Sequence, residues 1–181
     1  MKNKFYFFFV LLLLNLLFFQ KVYSSEQFNF DVTEIEILKE GNLIKGLKGG
    51  TVSTDNGIII KAEEFIYDKV LNELEAIGNV NIIDKNKNYK IFSDKTIYKK
   101  SDELIISEGA SKAELENIII KGEIFEYYKL KNIFNAKKNV IIFDKINEVE
   151  ILSEDITYNQ NKKTFFSKGP TESKIQSKYN L

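Results

Sequence analysis

The run Ile58-Ile59-Ile60-Lys61-Ala62-Glu63-Glu64-Phe65-Ile66-Tyr67, the link Asp68-Lys69-Val70-Leu71-Asn72 and the run Glu73-Leu74-Glu75-Ala76-Ile77-Gly78-Asn79-Val80-Asn81-Ile82 together decide the fold. Apolar residues alternate in both runs, which is the period of a strand half-buried on one face. The link is polar and ends in Asn, as a hairpin turn should. In the first run the alternation slips. Ile58, Ile60 and Ala62 share one parity, whereas Phe65 and Tyr67 fall on the other. A slip inside an otherwise regular strand predicts a bulge or corner, where a curving strand keeps its apolar side inward.

The same unit recurs. Ser93-Asp94-Lys95-Thr96-Ile97-Tyr98, Gly122-Glu123-Ile124-Phe125-Glu126-Tyr127 and Ser153-Glu154-Asp155-Ile156-Thr157-Tyr158 repeat Ala62-Glu63-Glu64-Phe65-Ile66-Tyr67, with the Tyr stepping by 31, 29 and 31 residues. Eleven residues after each Tyr stands Gly78, Gly109, Lys138 or Gly169, where a returning strand such as Gly78-Asn79-Val80 continues. Four units of about 30 residues therefore run from Gly57 to roughly Tyr179, with a more degenerate one, Phe30 to Thr54, in front. The polar links Lys99 to Asp102, Lys129 to Asn132 and Asn159 to Lys163 close the later hairpins. No long stretch after the leader keeps a helical period. The expected class is all-β: repeated hairpins forming a β-jellyroll or β-taco with two facing antiparallel sheets, with an up-and-down barrel as the alternative. Pro170 is expected at an edge or bulge, where a missing ladder donor is tolerated.

Ahead of the repeats, Lys2 and Lys4 precede an apolar run from Phe5 to Phe19 broken only by Asn15. Fifteen residues fall short of the roughly 20 a membrane-crossing helix needs, and Val22 and Ser24 suit a signal peptidase. The expected organisation is a signal peptide over 1–24 and one domain over 25–181. An uncleaved anchor is the other reading. Without the leader the chain has 23 Lys against 26 acids, and none of its basic residues is Arg. That composition argues against nucleic acid as a partner. Cys and His are both absent, which removes disulfides, lipid attachment at Cys, the soft ligands of transition metals and the usual base of hydrolases. Carboxylate pairs such as Glu63 with Glu64 sit among lysines with no apolar pocket to split their pKa values. Neither an enzyme nor a cofactor is expected.

The inward positions are Ile58, Ile60, Phe65, Tyr67, Leu74, Val80, Ile82, Ile91, Tyr98, Ile105 and Ile118, continuing with Ile120, Phe125, Tyr127, Phe134, Val140, Ile142, Ile151, Ile156, Tyr158 and Phe165. Beside them run small residues: Ala62, Ala76, Ser93, Ser107, Gly122, Ala136, Ser153 and Ser167. Two readings stand. The columns make an ordinary packed core, or the small column leaves an under-filled strip that holds something apolar, such as an acyl chain, because native interiors tolerate few voids. An unclosed stack also has strand edges that recruit further strands. Ile175-Gln176-Ser177-Lys178-Tyr179 reads as the opening of another unit, so this end either docks a partner or belongs to a longer chain.

A leader followed by units of small residue, acid, Tyr, polar turn and a strand through Gly-Asn-Val resembles the OstA-like domain of the lipopolysaccharide transport family. Ile60 to Tyr67 and Ala76 to Val80 carry the likeness best, and it extends over nearly the whole mature chain. The resemblance implies a periplasmic β-jellyroll of a Gram-negative bacterium. It would cradle the acyl chains of lipid A and join other lipopolysaccharide-transport jellyroll domains by edge-strand pairing, for outer-membrane assembly. The entry Phe28-Asn29-Phe30-Asp31-Val32-Thr33-Glu34 is most similar to the N-terminal periplasmic domain of the outer-membrane assembly member; the free-standing bridge member is the close alternative. The barrel and cysteines of the former are absent from this sequence. The rival from another class is a structural or adhesin-like β-repeat with a dry core.

Overall fold

Alternating patterns separated by turn residues produce a meander. In the computed structural model, which describes residues 28–175, the strands are β1 (Phe28–Leu38), β2 (Leu43–Thr54), β3 (Ile58–Ala62), β4 (Glu64–Asp68), β5 (Glu73–Asp84) and β6 (Tyr89–Lys99). They continue as β7 (Leu104–Leu115), β8 (Ile118–Tyr128), β9 (Ile133–Asp144), β10 (Val149–Asn159), β11 (Thr164–Ser167) and β12 (Thr171–Ile175). The strand pairs are all antiparallel and belong to one sheet. β3 and β4 are two halves of one strand split at Glu63, and both lie between β2 and β5. β11 and β12 are likewise two halves, broken at Lys168 to Pro170, and together form the last edge along β10. Pro170 thus interrupts an edge strand. The signal-peptide reading of 1–24 lies outside the described residues.

Each long strand carries the corner that the parity slip predicts. Between β5 and β6 the register jumps so that Gly78 and Asn79 stand against Asp94, and equivalent jumps occur at Glu108/Ser111, Lys121/Ile124 and Ser153/Asp155. Gly78 and Asn79 have φ of 80° and 47°, Gly109 and Ala110 77° and 42°, Lys138 and Asn139 63° and 51°. Two successive left-handed residues opposite one residue turn the ladder sharply. The repeated acid belongs to this device. The Glu63 backbone N–H donates to both Ile77 O and Gly78 O at 3.1 Å, while its carboxylate accepts from Asn79 Nδ2 at 2.5 Å. At the third unit Glu123 accepts from Asn139 Nδ2 at 2.8 Å. Small residue, acid and Gly-Asn are therefore parts of one corner. A Cβ on Gly109 would be driven into the Asp94 side chain at a φ that L residues disfavour. Gly109→Ala is accordingly expected to cost about 1–3 kcal/mol in urea unfolding.

These corners fold the sheet on itself. Phe28 pairs with Thr54 at one end of β2 and Tyr67 with Ile44 near its other end, ten residues away. An extended strand would separate those ends by roughly 33 Å. The Phe28 and Tyr67 rings instead meet edge to face at 4.8 Å. Likewise Tyr89, beside Leu115 at the end of β7, meets Tyr127, beside Ile105 near its start, at 4.8 Å. The result is two facing half-sheets joined along a line of corners, a β-jellyroll of the taco kind and not a closed barrel. Facing contacts are offset: β6 meets β8 and β9, and β1 meets β4 and β6. The sheet's twist carries one half past the other.

Candidate functional site

The repeated Tyr builds the inner wall near the mouth. Across the ladder Tyr67, Leu74, Tyr98, Ile105, Tyr127, Phe134, Tyr158 and Phe165 form one row. Tyr127 stacks on Phe134 at 3.9 Å and Tyr158 on Phe165 at 4.6 Å. Each buried ring needs an outlet for its hydroxyl, and for the first three tyrosines the turn five residues on supplies one. Tyr67 Oη donates to Asn72 Oδ1 at 3.1 Å, Tyr98 Oη to Glu103 Oε2 at 2.9 Å and Tyr127 Oη to Asn132 Oδ1 at 3.3 Å. Burial raises the pKa of Tyr67, Tyr127 and Tyr158, so they remain phenols.

Nineteen of the twenty-one inward residues read from the sequence are buried, and Ile151 and Phe165 are half-buried against the core. Ala76, Ser107, Ala136 and Ser167 do not leave an empty strip beside them. Along the row Phe65, Ala76, Thr96, Ser107, Phe125, Ala136, Ile156 and Ser167, each small side chain stands next to a larger one on a neighbouring strand. For these four the expectation of a column of space is corrected, because corresponding positions of successive units lie two strands apart and the intervening strand fills the gap; of the corner residues Ala62, Ser93, Gly122 and Ser153, Gly122 stands opposite another small residue, Ser111. Thr96 also bridges Ser93 and Ser107 through hydroxyl contacts of 2.9 Å each.

Space opens instead toward the C-terminal end. A cavity of about 350 Å³ lies between Leu115 and Ile118 on one half and Tyr158 and Phe165 on the other. Ile146, Gln160 and Lys163 stand among its other lining residues. Gln160 Oε1 is buried without a hydrogen-bond partner. Of the sequence-derived set, Ile118, Tyr158 and Phe165 line this cavity. Leu115 and the turn residues were missed, because only the offset of the halves brings them to Tyr158. The opening follows from that offset: the cross-fold ring contacts that close the middle at Tyr89, Tyr127 and Phe134 have no counterpart here among the described residues.

The middle of the mouth is fastened by charge. Lys87, on the turn between β5 and β6, donates to Lys129 O at 2.6 Å and Asn132 Oδ1 at 2.7 Å, on the turn between β8 and β9. Beside it Glu103 accepts from Lys100 at 2.6 Å and from Lys129, whose ammonium also lies 3.1 Å from Tyr98 Oη. The Lys100 and Lys129 side chains are each only 6% exposed. Burial alone would raise the Glu103 carboxyl, but the hydrogen bonds from Lys100 and Lys129 outweigh it and hold the group below the ordinary range. Burial, with repulsion from Lys129, lowers Lys87.

At either end the offset leaves inner-face residues bare. Ile37 pairs with Ile44 and so faces inward, yet it is 64% exposed; Ile35 is also exposed. At the other end Ile175 pairs with Val149 and is 73% exposed. Ile175 therefore completes the fourth unit instead of opening a fifth, because β12 is the far half of that unit's returning strand; Gln176 to Tyr179 lie outside the described residues. Among the described residues no group of His, Cys, Asp and Glu is placed to hold a metal ion, and no helix is long and apolar enough to cross a membrane.

No protein-family model matches the chain, and the curated proteins contain no match. Solved structures do match. One is LptH from Pseudomonas aeruginosa, described as the LptA-homologous periplasmic component of the conserved lipopolysaccharide transport device. The likeness has a TM-score of 0.52 at 11% identity and covers 84% of this chain and 97% of that one. At that identity the common property is the fold, an all-β jellyroll of antiparallel hairpins.

Proposed function

We propose that this chain is a periplasmic lipopolysaccharide-transport component that takes lipid A acyl chains between its half-sheets and joins like domains edge to edge. The observation that carries the reading is the offset of the two halves. It opens a cavity in which the apolar walls of Leu115, Ile118, Tyr158 and Phe165 meet polar turn residues, Glu116, Asp144 and Lys163 among them, and it bares inner-face residues of opposite halves at the two ends. A neighbouring copy or a like domain would cover Ile35 and Ile37 with the half that carries Ile175, continuing the sheet through β1 and the β11/β12 edge. The inward set from Ile58 to Phe165 is the wall such a continuous interior would have. A resemblance in sequence pattern and a likeness in fold to a periplasmic transport component both support it. Residence at the outer membrane belongs to the same proposal.

A photo-crosslinking residue at Phe165, in envelopes carrying the mature chain, is expected to capture lipopolysaccharide, whereas one at exposed Glu154 on the corner captures none. Saturable uptake of a fluorescent fatty acid by the purified chain should accompany it. Capture at neither position, together with no uptake, would leave the rival reading, a dry structural β-repeat, in possession.

A further inference from the structure

The two sides of the folded sheet differ in chemistry. Along the corner side the repeat sets a column of exposed acids, Glu63, Asp94, Glu123 and Glu154. The mouth side is made of turns. One rim consists of turns 39–42, 69–72, 100–103, 129–132 and 160–163, with seven Lys against three acids; the other consists of 55–57, 85–88, 116–117 and 145–148, with three of each. With the turn-holding carboxylates Asp68, Asp84 and Asp144 counted, the first rim keeps a surplus of three positive charges, seven Lys against four acids, whereas the second has three Lys against five acids.

That mouth also shows aliphatic side chains where turn chemistry does not ask for them. In the turn after β4, Asp68 Oδ1 accepts from Val70 N at 2.9 Å and Leu71 N at 3.0 Å, and Asn72 takes the left-handed conformation. Those two residues fix the turn, leaving Val70 76% exposed and Leu71 nearly as bare. Leu130 is 79% exposed between Lys129 and Lys131, and Ile146 stands out from the other rim. Isolated surface aliphatics are ordinary, but these four share one side and sit at hairpin tips. The tips of the first rim are held in line: Lys100 N donates to Asn72 O, Lys129 N to Glu103 O and Gln160 N to Asn132 O, each at 3.0 Å.

We infer that the mouth side is a docking surface for an anionic lipid bilayer, with Val70, Leu71 and Leu130 entering the headgroup layer and the first-rim lysines meeting lipid phosphates. Basic charge beside exposed aliphatic tips is the combination an interfacial segment uses, and neither alone holds a protein at a membrane. Bilayer docking would turn the mouth, and the cavity beside Ile146, toward the lipid. It does not depend on whether the interior takes up acyl chains.

The test is flotation of the purified mature chain with vesicles of phosphatidylcholine mixed with phosphatidylglycerol, and with pure phosphatidylcholine. Binding is expected with the anionic vesicles alone, weakening as salt rises. Lys131→Gln/Lys162→Gln/Lys163→Gln should lower the partition at least tenfold, since each lysine near such a surface contributes on the order of fivefold. Val70→Ser/Leu71→Ser/Leu130→Ser should lower it by a similar factor. Lys48→Gln/Lys138→Gln/Lys168→Gln removes the same charge from the corner side and should change little. All three triples alter exposed residues, and an unchanged thermal transition verifies their folding. The inference is overturned by absence of flotation, by equal binding to neutral vesicles, or by corner lysines mattering as much as rim lysines. It is overturned equally if the serine triple binds as the parent does, the pattern of an acidic protein partner or of charge attraction without insertion.

Discussion

Glu103→Ala is expected to destabilise the protein by about 3–5 kcal/mol, because it removes the carboxylate that two buried ammonium groups both contact. Chemical denaturation at neutral pH is the measurement, and a loss below about 1 kcal/mol would show that the cluster behaves as a surface pair. Glu103→Gln keeps an acceptor for Tyr98 and the lysines and should fall between. Lys100→Met/Glu103→Leu/Lys129→Met replaces the set by apolar groups and should recover most of the loss, since the cost lies in the uncompensated charge. The acid side follows from the depressed carboxyl. A carboxyl whose folded pKa lies below its unfolded value of about 4.3 contributes stability above that value, and the contribution disappears as pH falls through the folded pKa. The parent should therefore lose more stability than Glu103→Ala between neutral pH and the low carboxylate range.

Phe134→Ala is the other large effect, about 3–5 kcal/mol by the cost of emptying a buried aromatic site. Phe134 lies flat against Tyr127 at 3.9 Å and meets Tyr89 edge to face at 6.1 Å, so it packs within one half and across to the other. Its loss should lower the urea midpoint and raise binding of an apolar dye, because Tyr89 then loses part of its facing wall. The Tyr89 hydroxyl is buried with no hydrogen-bond partner, so at this point the rings pack across the fold while the Lys87 contacts join the halves at the turns. Phe134→Leu should retain more than half the stability. Equal losses from Leu and Ala would mean that ring stacking, not volume, holds this point.

What the sequence disclosed follows the range of the forces involved. The parity slip at Ala62 to Phe65, the Tyr spacing and the polar links all report local geometry, and the corners and turns stand where those patterns put them. The acid of the repeat was visible as a spacing, but its purpose was not: Glu63 meets Asn79 sixteen residues away. Inward orientation could be read from alternation, since a side chain's face depends only on its neighbours along the strand. Occupancy could not. Whether the column of Ala76, Ser107 and Ala136 stays empty depends on Phe65, Phe125 and Ile156, which reach it from the strands between. The cavity lay further out of reach, for it depends on how far twist carries one half past the other, a sum of small rotations that no period records. Ile175 was misread for a related reason: half a strand after a break resembles the start of a new one until its partner, Val149, is known.

The displacement of the halves gives the molecule a front and a back. Ile37 projects from the half that ends in the first rim, Ile175 from the half that ends in the second. A row in which the front of each member covers the back of the next has every member pointing the same way. Such a row has one unmatched face at its head and a different one at its tail, and each terminus can select its own neighbour.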